Sequence, residues 1–425
     1  MSKRDDPVRH APACDDDRQS ESLTVDQAWE RILTDIRAIK GVERLNVRRT
    51  LNRVLAEDIH STVDVPAHDN SAMDGYALRG GDLPESGTAS LRVVATSLAG
   101  HAYLEQLRQG ECVRIMTGAP MPPGADTVIM QEHAERNGEH IRINPGHRAG
   151  QNVRRAGEDL QLGQRVFPAG KRVGPAEMGM LGSLGLVEVP VRRRLRVAYF
   201  STGDELRSAG IPLEVGQIYD SNRYTLHAVL ERLGVDATDM GVVPDDPEIM
   251  EQAFSDAASF ADAILTSGGV SVGEADHVKV LLQRLGAVRF WKIAMRPGRP
   301  LAFGTIGKAW FFGMPGNPVS VVATWYQFVQ PALRQLMGET LSKPLRFRVR
   351  TAHELRKRTG RTEFQRGILH YDDNGELAVK TTGAQGSGIL SSVSIANCFI
   401  VIPHEARSIA AGELVEVQPF EGIMA

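Results

Sequence analysis

Leu195-Arg196-Val197-Ala198-Tyr199-Phe200-Ser201-Thr202-Gly203-Asp204-Glu205 decides the architecture. The apolar run 195–200 reads as a buried strand, and it passes straight into a polar loop containing a glycine. The rhythm then repeats. Residues 221–233 read as a helix started by Asp220 or Ser221, 247–260 as a second helix, and 263–266 as a buried strand ending in Ser267-Gly268-Gly269. Residues 276–285 read as a helix, 288–294 and 310–313 as strands, and a long helix follows Met314-Pro315-Gly316-Asn317-Pro318 through Leu336. Strands alternating with helices imply parallel βαβ units, so residues 195–343 are expected to form a doubly wound α/β domain.

Outward from this domain the pattern changes on both sides. Upstream, Val25, Trp29, Ile32, Leu33, Ile36 and Ile39 recur at helical spacing; Thr24 with Gln27 fits a capping box, and Gly41 is the expected stop. Between about 42 and 194, short apolar runs at 91–96, 112–116, 127–130 and 140–143 alternate with turn clusters such as Pro122-Pro123-Gly124 and Asn144-Pro145-Gly146. That is β-rich, irregular structure, with one helical interval near 175–184. The triplet Arg192-Arg193-Arg194 reads as a solvated linker. After Pro344 come strand candidates at 345–351, 363–370, 377–381, 398–402 and 414–418, with Asp373-Asn374-Gly375 as a hairpin signal: a terminal β-barrel or sandwich.

Composition narrows the function classes. The chain has 425 residues, room for about three domains. Its net charge is −3 and its pI about 6.5, which gives no electrostatic footprint for general nucleic-acid binding. Three separated cysteines, Cys14, Cys112 and Cys398, form no zinc or disulfide framework and fit a reducing compartment. No apolar run is long enough for a membrane span, and the first 22 residues, rich in both charge signs, read as a disordered leader rather than a secretory signal. A cytoplasmic, multidomain protein is expected.

Chemistry concentrates in four loops expected at the carboxyl edge of the sheet: STGDE (201–205), SGGVSVGEAD (267–276), MRPGRP (295–300) and MPGNPVS (314–320). Glycines let backbone N–H groups approach an anion. Lys292, Arg296 and Arg299 add positive charge, and guanidinium forks suit tetrahedral oxyanions. Glu205 and Asp276 offer carboxylates that Mg²⁺ would take alongside phosphate oxygens. Any one of these loops alone is an ordinary tight turn with solvated charges; together they point to a phosphorylated ligand with a divalent metal. Neither GxGxxG nor GxxxxGK[ST] occurs here, so the standard dinucleotide and P-loop readings lose support. The segments His68 to Ala77, Thr117-Gly118-Ala119-Pro120 and Gly157-Glu158-Asp159 are either turns or parts of a site.

Eight collinear segments carry a family resemblance: NSAMDGYA (70–77), RIMTGAPMPPGAD (114–126), GQNVRRAGED (150–159), STGDEL (201–206), SGGVSVGEAD (267–276), RPGRPLAFG (296–304), PGNPVS (315–320) and FQRGIL (364–369). From about Leu23 to Phe420 the chain resembles the molybdopterin molybdenumtransferases, the MoeA family that includes the E domain of gephyrin. The resemblance implies a homodimer whose subunits have four domains. Residues 23–41 would be a helix packed on the α/β domain, 42–61 with 164–194 a linking domain, 62–163 a β-rich domain, 195–343 the molybdopterin-binding domain and 344–425 a β-barrel.

The implied reaction inserts molybdenum from molybdate into adenylylated molybdopterin and releases AMP, with Mg²⁺ assisting. Carried over residue by residue, Asp74, Thr117, Asp159, Glu205 and Asp276 match catalytic positions, the first three completing the cleft of the partner subunit. Glu205 and Asp276 hold Mg²⁺ or position the nucleophile; Asp246 matches a third metal-binding carboxylate, with Asp245 as the alternative. Ser271, Lys292, Arg296, Arg299, Pro300, Pro315, Pro318, Arg366 and Ser387 match substrate-binding positions. Positions 296 and 299 are arginine where relatives often have lysine, which keeps the charge and changes the fork geometry. A molybdopterin adenylyltransferase and molybdoenzyme maturation proteins are the implied partners. Two rival readings remain at this level: a dimeric gephyrin-like scaffold, and an adenylyltransferase-like enzyme built on a related sheet.

Overall fold

The computed structural model describes residues 22–269 and 276–420, so the expected leader, Ser22 apart, lies outside the described residues. The chain forms two compact units: Gly41–Arg192, and the segment before Gly41 joined to everything from Arg193 onward.

In the second unit six strands make one sheet: β1 (Arg196–Thr202), β2 (Asp236–Val243), β3 (Ala263–Ser267), β4 (Gly286–Lys292), β5 (Pro300–Ile306) and β6 (Ala309–Met314). Their order is β2-β1-β3-β6-β5-β4. β1 pairs parallel with β2 and β3, and β3 parallel with β6; β5 pairs antiparallel with both β6 and β4. Only β5 therefore runs against the rest, and the carboxyl ends of β1, β3, β4 and β6 lie along one edge. The expected parallel units are present in β1, β2, β3 and β6, and β5, which the sequence reading did not assign, is the one strand of opposite direction.

Alternation along the strands puts Ala198 and Phe200 of β1, Ile264 of β3 and Phe311 of β6 into one buried cluster with Phe254 and Met250 of the helix Pro247–Phe260. Phe254 meets Phe200 and Phe311 edge-on, with centroids 5.2 and 5.6 Å apart. Burying each such ring stabilises by roughly 1.5–3 kcal/mol.

The N-terminal helix, Val25–Asp35, starts with the expected capping box between Thr24 and Gln27, but it stops before Gly41, with Ile36 already extended. It buries Val25, Ala28 and Ile32, and Gln335 donates to the carbonyls of Leu33 and Ile36 at 2.6 and 2.9 Å. Leu23 is hydrogen-bonded to both Lys292 and Ala294, so this leading segment also braces the end of β4. The long helix after β6 runs Pro318–Thr324, then a π-helical turn at Trp325–Val329, then Gln330–Leu336. The widened turn ends two residues before Pro331, which has no N–H to give the preceding turn. Arg193 departs from the solvated-linker reading: it forks onto Asp262 with two bonds of 2.7 Å.

The C-terminal strands Phe347–Thr351, Thr362–Tyr371, Leu377–Thr381, Cys398–Ile402 and Leu414–Pro419 close into a five-stranded barrel, because Thr362–Tyr371 pairs with both Leu377–Thr381 and Cys398–Ile402. Val349, Val379, Ile400, Val415 and Val417 fill it. Met295–Arg296 pairs with Thr362 and Glu363, which carries the loop after β4 onto the barrel.

The unit Gly41–Arg192 holds a six-stranded sheet of Gly75–Leu78, Ala89–Ser97, Glu111–Ile115, Thr127–Met130, Ala134–Asn137 and His140–Ile143, with apolar clusters around Tyr76 and around Ala77. A second core gathers Leu55, Val173, Leu181 and Val191 beside the antiparallel pair Val42–Asn46 and Glu188–Arg192. Cys112 and Cys398 are free and buried, and burial pushes both thiols up to about 12, so they are inert. Among the described residues no helix is long and apolar enough to cross a membrane.

Candidate active site

Three of the four loops meet at the carboxyl edge of the sheet. Gly268, at φ +93°, lies so close to Thr202 that a Cβ would overlap the Thr202 carbonyl, and its N–H donates to Met314 at 3.1 Å. Only glycine allows the loop after β3 to lie against the ends of β1 and β6 in this way. Asn222, in the first turn of the helix Ser221–Leu233, ties them further: its Nδ2 donates to Ser267 Oγ at 2.7 Å and to the Gly316 carbonyl at 2.6 Å. Three buried polar atoms here have no hydrogen-bond partner among the described residues, Ser201 Oγ, Thr202 Oγ1 and Asn222 Oδ1, and Arg299 Nε in the loop after β4 is likewise unpartnered. Buried polar groups are nearly always paired, so such a concentration marks a place where a ligand or water completes the bonding.

The acidic side is more open. Glu205 is exposed, and its carboxylate folds back over Gly203. Asp204 accepts from Asp245 N–H at 3.2 Å, which joins this loop to the start of the helix Pro247–Phe260. Asp246 caps that helix, its Oδ1 accepting from Glu248 and Ile249 N–H at 2.9 and 3.1 Å. Asp276 opens the helix Asp276–Leu285, while its side chain, and Ser271 altogether, lie outside the described residues. Among the described residues no three His, Cys, Asp or Glu side chains stand together as a metal cage.

The basic side begins at Lys292, the last residue of β4, paired across the hairpin with Pro300, the first of β5. Arg299 is half-buried, and its carbonyl accepts from Ile293 N–H at 2.8 Å. Arg296 is exposed, 3.8 Å from Glu363 of the barrel. Pro315 is buried and Pro318 opens the following helix, whose Val319 N–H donates to the Ser387 carbonyl at 3.0 Å. Arg366 is buried in the barrel wall: Nε donates to Ser392 Oγ at 3.0 Å and Nη2 to the Gly386 carbonyl at 3.0 Å. Burial, with repulsion from Arg296, pushes Arg366 down to about 10, so it is still charged at neutral pH. A cavity of about 450 Å³ opens between Arg296, Pro297, Glu363, Arg366 and Gln385.

In the unit Gly41–Arg192 the structure joins two of the three expected residues. Asp74 Oδ1 accepts from both the N–H and the Oγ1 of Thr117, each at 2.8 Å. The backbone bond, then the hydroxyl bond, holds the Asp74 carboxyl below its ordinary value. Asp159 is exposed, its N–H donating to Val65, with no hydrogen bond to that pair.

Comparison with known proteins places this geometry. The MoeA N-terminal region (domain I and II) matches residues 23–185, a probable molybdopterin binding domain matches 198–335, and the MoeA C-terminal region (domain IV) matches 348–420. A molybdopterin molybdenumtransferase of Haemophilus influenzae is 45% identical over 404 residues, covering 95% of this chain and 100% of the relative. The chain belongs to the molybdopterin molybdenumtransferase family. These are transferases of molybdenum cofactor biosynthesis. A gephyrin of Dictyostelium discoideum is 33% identical over 450 residues, 92% of this chain and 61% of the relative. The crystal structure of a molybdopterin biosynthesis MoeA protein from Pyrococcus horikoshii OT3 superposes with a TM-score of 0.81 at 30% identity, over 94% of this chain and 100% of that one.

Within this molybdopterin molybdenumtransferase family member, sequence reasoning missed Asn222, Gln385 and Ser392. None carries a local motif. Asn222 reaches partners 45 and 94 residues away, so its bonds exist only once the sheet has brought the loops together.

Proposed function

We propose that the cleft at the carboxyl edge takes adenylylated molybdopterin and molybdate, transfers molybdenum to the dithiolene and releases AMP, in a cytoplasmic homodimer. The observation that supports this most is the group of unpartnered buried polar atoms, Ser201 Oγ, Thr202 Oγ1 and Asn222 Oδ1, where the loops after β1, β3 and β6 meet, in the unit that also carries the acidic loop at Glu205 and the basic loop at Lys292 to Arg299. An adenylylated pterin brings phosphates and polar ring edges, and molybdate is a tetrahedral dianion suited to guanidinium forks. Lys292, Arg296 and Arg299 neutralise phosphate and Pro300 fixes the hairpin beside them. Pro315 and Pro318 stiffen the loop after β6. Arg366 and the Ser387 segment hold the oxyanion. Asp74, Thr117 and Asp159 complete the partner's cleft.

Mg²⁺ keeps several waters and takes one or two carboxylates together with substrate phosphates, so an exposed Glu205 paired with Asp276 suits it without a full protein cage. Asp246 is the weaker third ligand, since one of its oxygens is engaged as a helix cap. Held by Glu205 and Asp276, the ion would supply charge neutralisation at the phosphates. The test is to mix the protein with adenylylated molybdopterin, molybdate and Mg²⁺ and measure AMP chromatographically. AMP release that rises with molybdate is expected; no AMP at any molybdate concentration would overturn the reading.

A further inference from the structure

We propose that Gln385 is a positioning residue, setting the Arg366 guanidinium and the 384–387 loop for the anion; this rests on the molybdate reading above. Arg366 lies midway along the strand Thr362–Tyr371, whose pairing with Leu377–Thr381 ends at Gly367 and Thr381. Thr382 N–H still reaches the Arg366 carbonyl at 3.1 Å, and then the chain turns away at Gly383, φ +96°. The Arg366 N–H would face that side without a strand partner. The Gln385 carboxamide supplies one: Oε1 accepts from the Arg366 N–H at 2.8 Å, and Nε2 donates to the Arg366 carbonyl at 3.2 Å. The same Nε2 lies 3.2 Å from the Gly383 carbonyl, so one side chain stands in for a strand residue and clips the loop to the barrel.

The consequence reaches the guanidinium. Its Nε is held by Ser392 and its Nη2 by Gly386, one residue before the Ser387 carbonyl that accepts from Val319. Nη1 makes no hydrogen bond to a described residue, and Arg366 and Gln385 both line the cavity. Backbone and head of Arg366 are thus fixed from the same loop. An oxyanion then meets a donor that is already oriented, which matters because a charge-assisted bond weakens steeply with misalignment.

The experiment measures steady-state AMP release by the whole protein while molybdate and adenylylated substrate are varied separately. Gln385→Ala is expected to raise the KM for molybdate about tenfold, with the KM for the adenylylated substrate within about twofold. Gln385→Asn keeps the carboxamide but cannot span both Arg366 groups; it is expected to shift the same way, and serves if the alanine variant does not fold. Adding Gln385→Ala to Arg366→Lys is expected to cost little more than Arg366→Lys alone, because both act through one side chain. An unchanged molybdate KM in a folded variant, or an equal rise in both KM values, overturns the proposal. A wild-type protein that releases no AMP overturns the proposed reaction itself and this inference with it, and is told apart because the unaltered chain fails too.

Discussion

Asp74 is an exposed carboxylate, yet two bonds from Thr117 hold it ionised below the ordinary aspartate range. Since the folded-state value is lowered, the contact contributes stability above the ordinary range and loses it as pH falls through the lowered value. Asp74→Asn, which keeps an acceptor but no charge, should therefore melt below wild type at neutral pH. The gap in thermal midpoint should close below about pH 4. A gap that stays constant into acid would contradict the ionised clamp. Glu205 is the complementary case. It is exposed and its side chain fills no core, so Glu205→Gln should leave the thermal midpoint in place while lowering AMP release about a hundredfold, the scale of losing one preorganised charge contact. Raising Mg²⁺ should restore part of the rate; a variant as active as wild type at limiting Mg²⁺ would remove Glu205 from the metal.

At the scale of elements, the meeting of β1, β3 and β6 depends on Gly268. A side chain there faces both the left-handed backbone and the Thr202 carbonyl, so Gly268→Ala should cost roughly 1–3 kcal/mol and depress activity more than stability. Full activity in this variant would mean the loop has room to shift. The same close approaches explain what could be read from sequence. The Gly-rich loops were legible because glycine marks tight backbone geometry, and the barrel strands because their apolar runs are bounded by turns. β5 was not, because its Gly304 resembles a turn residue. In the sheet a Cβ there would overlap the Ala287 carbonyl of β4, so the glycine serves strand packing. β2 escaped for a related reason: Asp236, Asp239 and Gly241 interrupt its apolar alternation, as befits an edge strand with one pairing neighbour. At the site, most residues given to ligand in the proposed reading sat in motifs, with Asp246, Lys292 and Ser387 outside them; Gln385, which holds Arg366, and Asn222, which ties two loops together, carried no motif.

At the scale of the whole molecule, the proposed homodimer makes a strong demand. Asp74 and Thr117 belong to the unit Gly41–Arg192, whereas the carboxyl-edge loops belong to the other. If Asp74 serves the partner's cleft, each cleft draws on both chains, and lesions in different units can be sorted by mixing subunits. Asp74→Ala and Asp276→Ala homodimers should each be inactive, since every cleft then carries a lesion. In the mixed dimer, two-fold symmetry places both lesions in one cleft and leaves the other intact. Activity should return to about half the wild-type value per mixed dimer. Mixing Asp74→Ala with Glu205→Ala should behave in the same way, because Glu205 and Asp276 lie in the same unit. Mixing Glu205→Ala with Asp276→Ala should give no recovery, since each cleft then keeps one of the two lesions. Subunits carrying different affinity tags allow the mixed species to be isolated before assay. An inactive mixed dimer of Asp74→Ala and Asp276→Ala would assign Asp74 to its own subunit's cleft or to the turn it forms with Thr117.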